Sequence, residues 1–347
     1  PKNMAGVYIH IPFCKSICNF CPYCKVRYSA ELCDRYIDSL IQEIHIVGSQ
    51  HAEHRKATSL YFGGGTPALA ANRIKEIVNA LSEHFIITEG IGLELHPDNV
   101  NVETLQMLKD AGVTKISIGI QSFCDKYQKI LGRKKIDTAE MMSALSAVSF
   151  ETVSMDFIFA LPGQTYDDLK SDIDTAFLLG ANHVAIYPFI DFTFTESPVI
   201  AMPKNDKREL LDAITQYCLG KGYSRNSIWT FSSGTDANYS SMTRDNFLGF
   251  GCSATSLFKE QFKINTFDVD SYCERIRSGN LATSLTIRFT KRQRMVYWLF
   301  WTAYSTRVTS KDFEKFFGVS LKKMYGFELW VAKQLGLVKI GRASCRE

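Results

Sequence analysis

Six short apolar segments alternate with longer amphipathic stretches over the first 190 residues of the 347-residue chain. Strands that alternate with helices predict a parallel sheet, because each helix returns the chain to the edge where the next strand begins. This alternation predicts an α/β fold of six β-α units. The apolar segments are GVYIHIPF, SLYFGG, IGLELHP, KISIGIQS, TVSMDFIFAL and HVAIYPFI.

The side chains of these segments divide into an aliphatic set and a polar set. Residues two apart in a strand point to the same face of the sheet. Val, Ile, Leu, Met and Phe occupy one face, whereas the other carries small and polar residues that include Tyr8, His10, Glu94, Gln121 and Asp156. The aliphatic face is suited to a covering layer of helices.

The polar face constrains the architecture further. A carboxylate on an inner face costs free energy unless it is paired, so Glu94 and Asp156 predict a polar or cationic ligand between them. A fully packed barrel would instead fill its interior with aliphatic side chains. We therefore predict a partial, TIM-like (β/α)6 barrel with a polar lumen, followed by a small and mainly helical C-terminal domain. An open sheet with one solvated face is the alternative, although parallel sheets are usually covered on both faces.

Four of the ten cysteines follow directly after the first apolar segment. Cys14, Cys18, Cys21 and Cys24 have the spacing C-x3-C-x2-C-x2-C. Thiolates at such short spacing favour a soft metal site, either an iron–sulfur cluster or zinc. A structural zinc site usually takes two separated pairs of ligands, which favours the cluster. The other cysteines are scattered singly, as is typical of a reducing compartment.

The segment YFGGGTP, Tyr61 to Pro67, follows the second predicted strand. Three glycines let the backbone approach a ligand closely, and their N–H and C=O groups can bind it. The segment lacks the G-x-G-x-x-G spacing and the G-K-[ST] ending, which argues against dinucleotide and P-loop sites.

Composition excludes several classes of protein. The chain is 46% hydrophobic and 22% charged, which is typical of a globular protein. Its net charge of +4 has no long basic block, so we expect neither nucleic acid nor an anionic membrane as a partner. The apolar run MVYWLFWTAY is shorter than the ~20 residues of a membrane span. No export signal opens the sequence, which predicts a cytoplasmic protein.

Two of these features together resemble a known superfamily. The spacing C-x3-C-x2-C, with Phe20 before the third cysteine, and the glycine segment resemble the signature of radical S-adenosylmethionine (SAM) enzymes. Within that superfamily the sequence motifs of this chain are similar to those of oxygen-independent coproporphyrinogen III oxidases and radical SAM haem chaperones. The matching motifs are YIHIPFC, YFGGGTP, ISIGIQSF, LGR, MDFIFALPGQT and FLGFGCSATS.

The resemblance implies a role for each residue that matches a family motif. Cys14, Cys18 and Cys21 would bind three irons of a 4Fe-4S cluster and leave the fourth iron open to SAM, so Cys24 would not be a ligand. The other implied roles are catalytic positions at Tyr8 and Glu94, SAM contacts at Phe20, Gly64, Gly65, Thr66 and Glu94, and a second SAM site at Gln121, Arg133 and Asp156 with a further contact near Ile190.

The residues by themselves also allow structural roles. Tyr8 fits a core position, Gln121 fits a strand-end cap, and Arg133 belongs to an RKK run that is typical of a solvated surface. Three histidines are interpreted as structural rather than metal-ligating: His10, His96 and His183.

The family chemistry is reductive cleavage of SAM to methionine and a 5'-deoxyadenosyl radical, which abstracts hydrogen from the substrate. Three functions are consistent with the resemblance: a coproporphyrinogen III oxidase-like oxidoreductase of porphyrin metabolism, a haem chaperone without turnover, and a radical methyltransferase or other tetrapyrrole-modifying enzyme that uses two SAM molecules. Thr255 stands in GCSATS where relatives commonly have histidine, which leaves the substrate open.

The resemblance also implies partners and a division into domains. We expect a tetrapyrrole substrate, an electron donor such as flavodoxin or ferredoxin, and a monomer. The predicted domains are a core barrel over 1–200, an extension that completes the sheet over 201–285 and a winged-helix-like helical domain over 286–339. Residues 340–347 resemble a translated sequencing adapter and are left out of the predicted fold.

Overall fold

A computed structural model describes residues 5–50, 55–195, 199–234 and 245–338. The predicted C-terminal adapter segment lies outside this range. The strands are, in chain order, β1 (Ala5–Ile11), β2 (Phe13–Cys14), β3 (Val26–Arg27), β4 (Arg55–Gly64), β5 (Phe85–Ile87), β6 (Ile91–Leu95), β7 (Lys115–Gln121), β8 (Thr152–Phe159), β9 (His183–Pro188), β10 (Ser224–Arg225), β11 (Thr230–Ser232), β12 (Asn246–Phe250), β13 (Thr255–Phe258), β14 (Gln261–Asn265) and β15 (Thr283–Arg288).

The helices connect and flank these strands. They are α1 (Ala30–Gly48), α2 (Ala71–Ser82), α3 (Val102–Asp110), α4 (Asp125–Ile130), α5 (Thr138–Ala147), α6 (Tyr166–Leu178), α7 (Lys204–Gly220), α8 (Val269–Arg277), α9 (Lys291–Ala303), α10 (Ser310–Phe317) and α11 (Leu321–Gln334). Short 3-10 turns at Pro67–Ala70 and Pro97–Asn99 follow β4 and β6.

The centre of the fold is a parallel sheet with the order β1-β4-β6-β7-β8-β9. Each neighbouring pair in this series is parallel. The six strands coincide with the six apolar segments of the sequence, so the predicted α/β architecture of six β-α units is confirmed. Because all six run in the same direction, their carboxyl ends lie at one edge, where sites of such folds form.

Residues after β9 extend this sheet at both ends. The antiparallel strands β10 and β11 follow β9, whereas β12 pairs parallel with β1 and continues into antiparallel β13, β14 and β15. Among the described strands the order has two ends rather than closing into a ring. The last strand, β15, contains residue 285, at which one of the predicted domain boundaries lies. The predicted domain boundaries stay predictions.

The aliphatic face of the central sheet is the main hydrophobic core. Val7, Ile9 and Ile11 of β1 pack there with the apolar stripe of α1, which includes Tyr36 and Ile37. Helix α1 begins at the cap Ser29, whose hydroxyl accepts a hydrogen bond of 3.1 Å from the N–H of Leu32. The predicted assignment of aliphatic residues to the helix-covered face is confirmed.

Helices α9, α10 and α11 enclose a second, smaller apolar cluster. Its buried members are Met295, Trp298, Phe313, Leu321 and Tyr325. The run MVYWLFWTAY therefore belongs to a partly buried helix, as predicted. In the described part of the chain no helix has the length and apolar character needed to cross a membrane.

Candidate functional site at the carboxyl edge of the sheet

The cysteine segment forms a loop that leaves β1. Its two ends are held together by β2 and β3 and by a hydrogen bond of 2.9 Å from the N–H of Tyr28 to the carbonyl of Cys14. Cys14, Cys18 and Cys21 are partly exposed free thiols. Burial raises the pKa of Cys14 and of Cys21 above the usual thiol value. Three soft donors on one loop, without a disulfide, form a donor set that fits an iron–sulfur cluster, whose cationic iron would stabilise the thiolates.

The glycine segment is hydrogen-bonded to the start of this loop. The N–H of Gly65 donates to the carbonyl of Ile11 at 2.8 Å, and the N–H of Thr66 donates to the carbonyl of Phe13 at 2.7 Å. A Cβ atom on Gly65 would lie 2.6 Å from the carbonyl oxygen of Phe13, so only glycine fits there. The Thr66 hydroxyl lies 3.9 Å from the sulfur of Cys14. The fold thus joins the predicted cluster ligands to the predicted SAM contacts.

Glu94 lies on the polar face beside the glycine segment. Its carboxylate accepts hydrogen bonds from the hydroxyl of Tyr61 at 3.0 Å and from the N–H of Gly64 at 3.3 Å. Burial, together with the charge of Asp156, raises the pKa of Glu94 to about 7. Tyr8 stacks on Tyr61 with ring centroids 6.5 Å apart, so the predicted catalytic pair lies in one group.

Asp156 lies across the same face, on β8. Its carboxylate accepts hydrogen bonds from the hydroxyls of Ser117 at 2.8 Å and Ser154 at 3.2 Å. Burial raises its pKa to about 6 despite these two bonds. Since the charge of Asp156 also raises the pKa of Glu94, the two carboxylates share one electrostatic environment that favours a cation.

Gln121 and Arg133 meet at the end of β7. The strand has an irregularity in register between Gly119 and Gln121, and Gln121 has a positive φ of 70°. The guanidinium of Arg133 donates to the carbonyl of Gly119, whose register partner is Asp156. Arg133 is therefore half-buried at the sheet edge, and the alternative of a fully solvated surface residue is wrong for this side chain.

The predicted contacts Phe20 and Ile190 lie farther out. Phe20 packs against an apolar cluster near the ends of β7 to β9 that contains Tyr127, Leu161 and Phe189. The cysteine loop therefore reaches from β1 across to the opposite strands. Ile190 lies on the segment after β9 with an exposed side chain. The roles of these residues in binding SAM stay predictions.

Two tyrosines of the site were missed in the sequence. Desolvation is the largest cause of the raised pKa values of Tyr23, on the cysteine loop, and Tyr187, on β9, and the charges of Glu94 and Asp156 contribute. Both side chains nevertheless keep substantial exposure, 67% for Tyr23 and 45% for Tyr187. Tyr187 follows His183 and Ala185 at the two-residue period of the polar face, which was a usable signal. Tyr23 lies on a loop without periodicity, so nothing in the sequence indicated its position.

The predicted structural histidines have internal partners, and those of His183 and His96 lie on the polar face or next to it. His183 is buried, and its Nδ1 lies 2.9 Å from the hydroxyl of Ser154. His96 accepts a hydrogen bond of 3.2 Å from the N–H of Asp98. Burial, assisted by the charge of Arg133, lowers the pKa of His96 to about 4.

Comparisons with known proteins agree with this geometry. The profile of the radical SAM superfamily matches residues 8–176. The haem chaperone HemW of Lactococcus lactis is 32% identical over 65% of this chain and 62% of its own length. The oxygen-independent coproporphyrinogen III oxidase of Pseudomonas aeruginosa is 24% identical over 80% of this chain and 66% of its own length. The chain thus spans less than two thirds of either relative.

A solved structure has the same fold. Coproporphyrinogen III oxidase (HemN) from Escherichia coli, described as a radical SAM enzyme, superposes with a TM-score of 0.82. The match covers 96% of this chain and 83% of that chain at 20% identity, so it is evidence for the fold alone.

Proposed function

We propose that the chain is a radical SAM protein of the family of oxygen-independent coproporphyrinogen III oxidases and haem chaperones, and that it is a coproporphyrinogen oxidase-like enzyme that acts on a tetrapyrrole. One observation carries the proposal. The glycine segment is hydrogen-bonded to the first cysteine's strand through Gly65 and Thr66, and Glu94 lies beside it. The proposed cluster ligands and a carboxylate suited to a cation are therefore adjacent.

Cys14, Cys18 and Cys21 would hold the 4Fe-4S cluster, which when reduced supplies the electron that cleaves SAM. The chain's own part is to bind and orient the cofactor. SAM carries a sulfonium and an ammonium group, both of which favour the ionised form of Glu94. The backbone groups of Gly64 and Gly65 are suited to the methionine portion, since glycine leaves them accessible.

The remaining polar face is the proposed place for the substrate or a second SAM. Asp156 supplies a carboxylate there, and the nearby guanidinium of Arg133 is suited to a carboxylate of the ligand, because Arg binds carboxylates with paired hydrogen bonds. The cysteine loop, with Phe20 packed against the far side and Tyr23 near both carboxylates, would limit the entry of water.

The haem chaperone is the second candidate. It is favoured by the 32% identity to the protein named HemW, which exceeds the 24% identity to the oxidase. In this alternative the same cluster and SAM residues are present, but the tetrapyrrole is bound as haem and is not decarboxylated.

The test is anaerobic reconstitution followed by incubation with SAM, reduced flavodoxin and coproporphyrinogen III. The proposed enzyme yields deoxyadenosine, methionine, carbon dioxide and protoporphyrinogen, with an added one-electron acceptor taking the electron left on the substrate radical. Stoichiometric haem binding without decarboxylation would support the chaperone instead, and S-adenosylhomocysteine with a methylated acceptor would support a methyltransferase.

Two variants connect that result to the site. Glu94→Gln should reduce deoxyadenosine formation at subsaturating SAM, because the ionic partner of SAM is lost. Glu76→Gln makes the same chemical change on an exposed position of α2 and should leave the rate unchanged. Equal rates for both variants would contradict the proposed role of Glu94.

A further inference from the structure

A second group of metal-ligating side chains lies next to the cysteine loop. One ligand atom each of His10, Cys24 and Cys252 lies within 4.8 Å of the other two. The residues come from β1, from the cysteine loop and from the turn after β12, so they are distant in sequence. His10 and Cys252 are buried, and Cys24 is partly buried. None of the three has a role in the function proposed above.

The imidazole of His10 is held in place by two contacts. Its Nδ1 lies 3.0 Å from the hydroxyl of Tyr8, and its Nε2 lies 3.2 Å from the carbonyl oxygen of Cys24. A ligating histidine usually holds one ring nitrogen in a hydrogen bond and directs the other to the metal. Both nitrogens of His10 have a partner here, so a metal ion would replace one of these contacts while the other fixes the ring.

The position of Cys252 is fixed by a buried hydrogen-bond network. Its N–H donates to the hydroxyl of Tyr36 at 3.0 Å, and that hydroxyl donates to the carbonyl of His10 at 2.6 Å. The preceding Gly251 donates its N–H to the carboxylate of Glu43 at 2.8 Å. Cys252 and His10 are thus held by a common partner, which preorganises the pair.

The two thiols interact with each other. A hydrogen bond from Cys252 lowers the pKa of Cys24, and the same contact raises the pKa of Cys252. The sulfur of Cys24 also lies 3.3 Å from the carbonyl oxygen of Phe267. Two neighbouring thiols and an imidazole are a set of soft donors, and a metal ion would displace the protons of the thiols.

We propose that His10, Cys24 and Cys252 bind one zinc ion, separate from the 4Fe-4S cluster of the neighbouring cysteines. Zinc takes thiolate and imidazole ligands at about 2.0–2.3 Å in a tetrahedron, which places ligand atoms within the separation found here. Two thiolates balance the charge of Zn²⁺, and the displaced thiol protons leave to solvent. The ion would tie the cysteine loop to β1 and to the turn after β12, and three protein ligands leave a fourth position for water or another ligand.

The test uses the full chain with Cys14→Ala, Cys18→Ala and Cys21→Ala, which removes the competing thiols of the cluster. Anaerobic titration of this triple variant with Co²⁺, followed by its absorption spectrum, should give one ion per chain with sulfur-to-cobalt charge transfer and tetrahedral d–d bands. Stoichiometric Zn²⁺ should displace it. A triple variant that binds no Co²⁺ would overturn the proposal.

Further variants on the same background assign the ligands. Adding Cys252→Ala or Cys24→Ser should abolish the cobalt bands, whereas Cys218→Ala, a buried free cysteine of α7, should retain them. Cys24 is partly exposed, so its variant remains informative if Cys252→Ala fails to fold by circular dichroism. Bands that survive in a folded variant of either cysteine, or a Cys24–Cys252 disulfide in anaerobically purified protein, would refute the zinc site.

Discussion

The hydroxyl of Tyr61 donates a hydrogen bond of 3.0 Å to Glu94 on the neighbouring strand. The N–H of Gly64, on the same strand as Tyr61, donates to the other carboxylate oxygen at 3.3 Å. The two donors fix the carboxylate beside the glycine segment, yet burial and the charge of Asp156 still raise the pKa of Glu94 to about 7. A cationic group beside this carboxylate would stabilise its ionised form, and SAM carries two such groups, a sulfonium and an ammonium.

The raised pKa of Glu94 predicts a pH-dependent affinity for SAM. With a pKa of about 7 the unliganded carboxyl is mostly neutral at pH 6 and mostly ionised at pH 7.5. Because the cationic cofactor binds the ionised form, its dissociation constant should fall roughly tenfold across this interval. Equilibrium titration of the reconstituted protein with SAM measures the change.

Glu94→Gln removes the titrating group, so its weaker affinity should vary little over the same interval. The variant Glu76→Gln should keep the steep dependence of the unmodified protein. A Glu94→Gln protein with the full tenfold change would assign the pH dependence to another residue.

The close approach of Gly65 to Phe13 predicts that any side chain at position 65 would destabilise the protein. In Gly65→Ala the new Cβ would lie 2.6 Å from a backbone oxygen, so the glycine segment or the strand must move. We expect the free energy of unfolding to fall by about 1–3 kcal/mol, and SAM binding to weaken, because the cluster loop and the glycine segment separate.

Gly220→Ala is the matched control, since a Cβ there meets no atom within 4 Å. At the end of α7 this change should preserve stability or raise it by up to about 1 kcal/mol. Denaturant unfolding of both variants gives the comparison, and equal stabilities would contradict the inferred crowding at Gly65.

The division of the four clustered cysteines predicts the iron content of variants. Reconstituted protein should contain about four irons per chain. Alanine at Cys14, Cys18 or Cys21 should lose the cluster, whereas Cys24→Ala should keep it, because Cys24 lies with His10 and Cys252. Iron and sulfide analysis measures this. Iron retained in the triple variant, or lost in Cys24→Ala alone, would show that the three ligands are wrongly assigned.

The central sheet was predictable because its signal is local. The period of two in β1 and β7 assigns each side chain to a face, and the structure confirms the aliphatic burial of Ile9, Ile116 and Ile118. The same alternation placed Glu94 and Asp156 on one face. Neither result required knowledge of contacts between distant residues.

The parts that were missed depend on long-range contacts. The pairing of β12 with β1 joins residues more than 200 positions apart and brings Cys252 to Cys24. Nothing in the scattered position of Cys252 distinguished it from other buried cysteines such as Cys218. Tyr23 approaches the carboxylates only because the loop crosses the sheet edge, which has no sequence period.

The hydrogen bonds of buried Glu43 attach the segments after residue 245 to helix α1, so we expect this residue to contribute strongly to stability. From α1 it accepts hydrogen bonds from the hydroxyl of Tyr272 at 2.6 Å, the amide of Asn265 at 2.9 Å and the N–H of Gly251 at 2.8 Å. Glu43→Ala leaves these donors unsatisfied and should lower the free energy of unfolding by about 3–5 kcal/mol. Glu31→Ala changes an exposed position of the same helix and should lower the free energy of unfolding by at most about 1 kcal/mol. Thermal and denaturant unfolding measure both variants. Similar losses of stability in the two variants would refute the special role of Glu43.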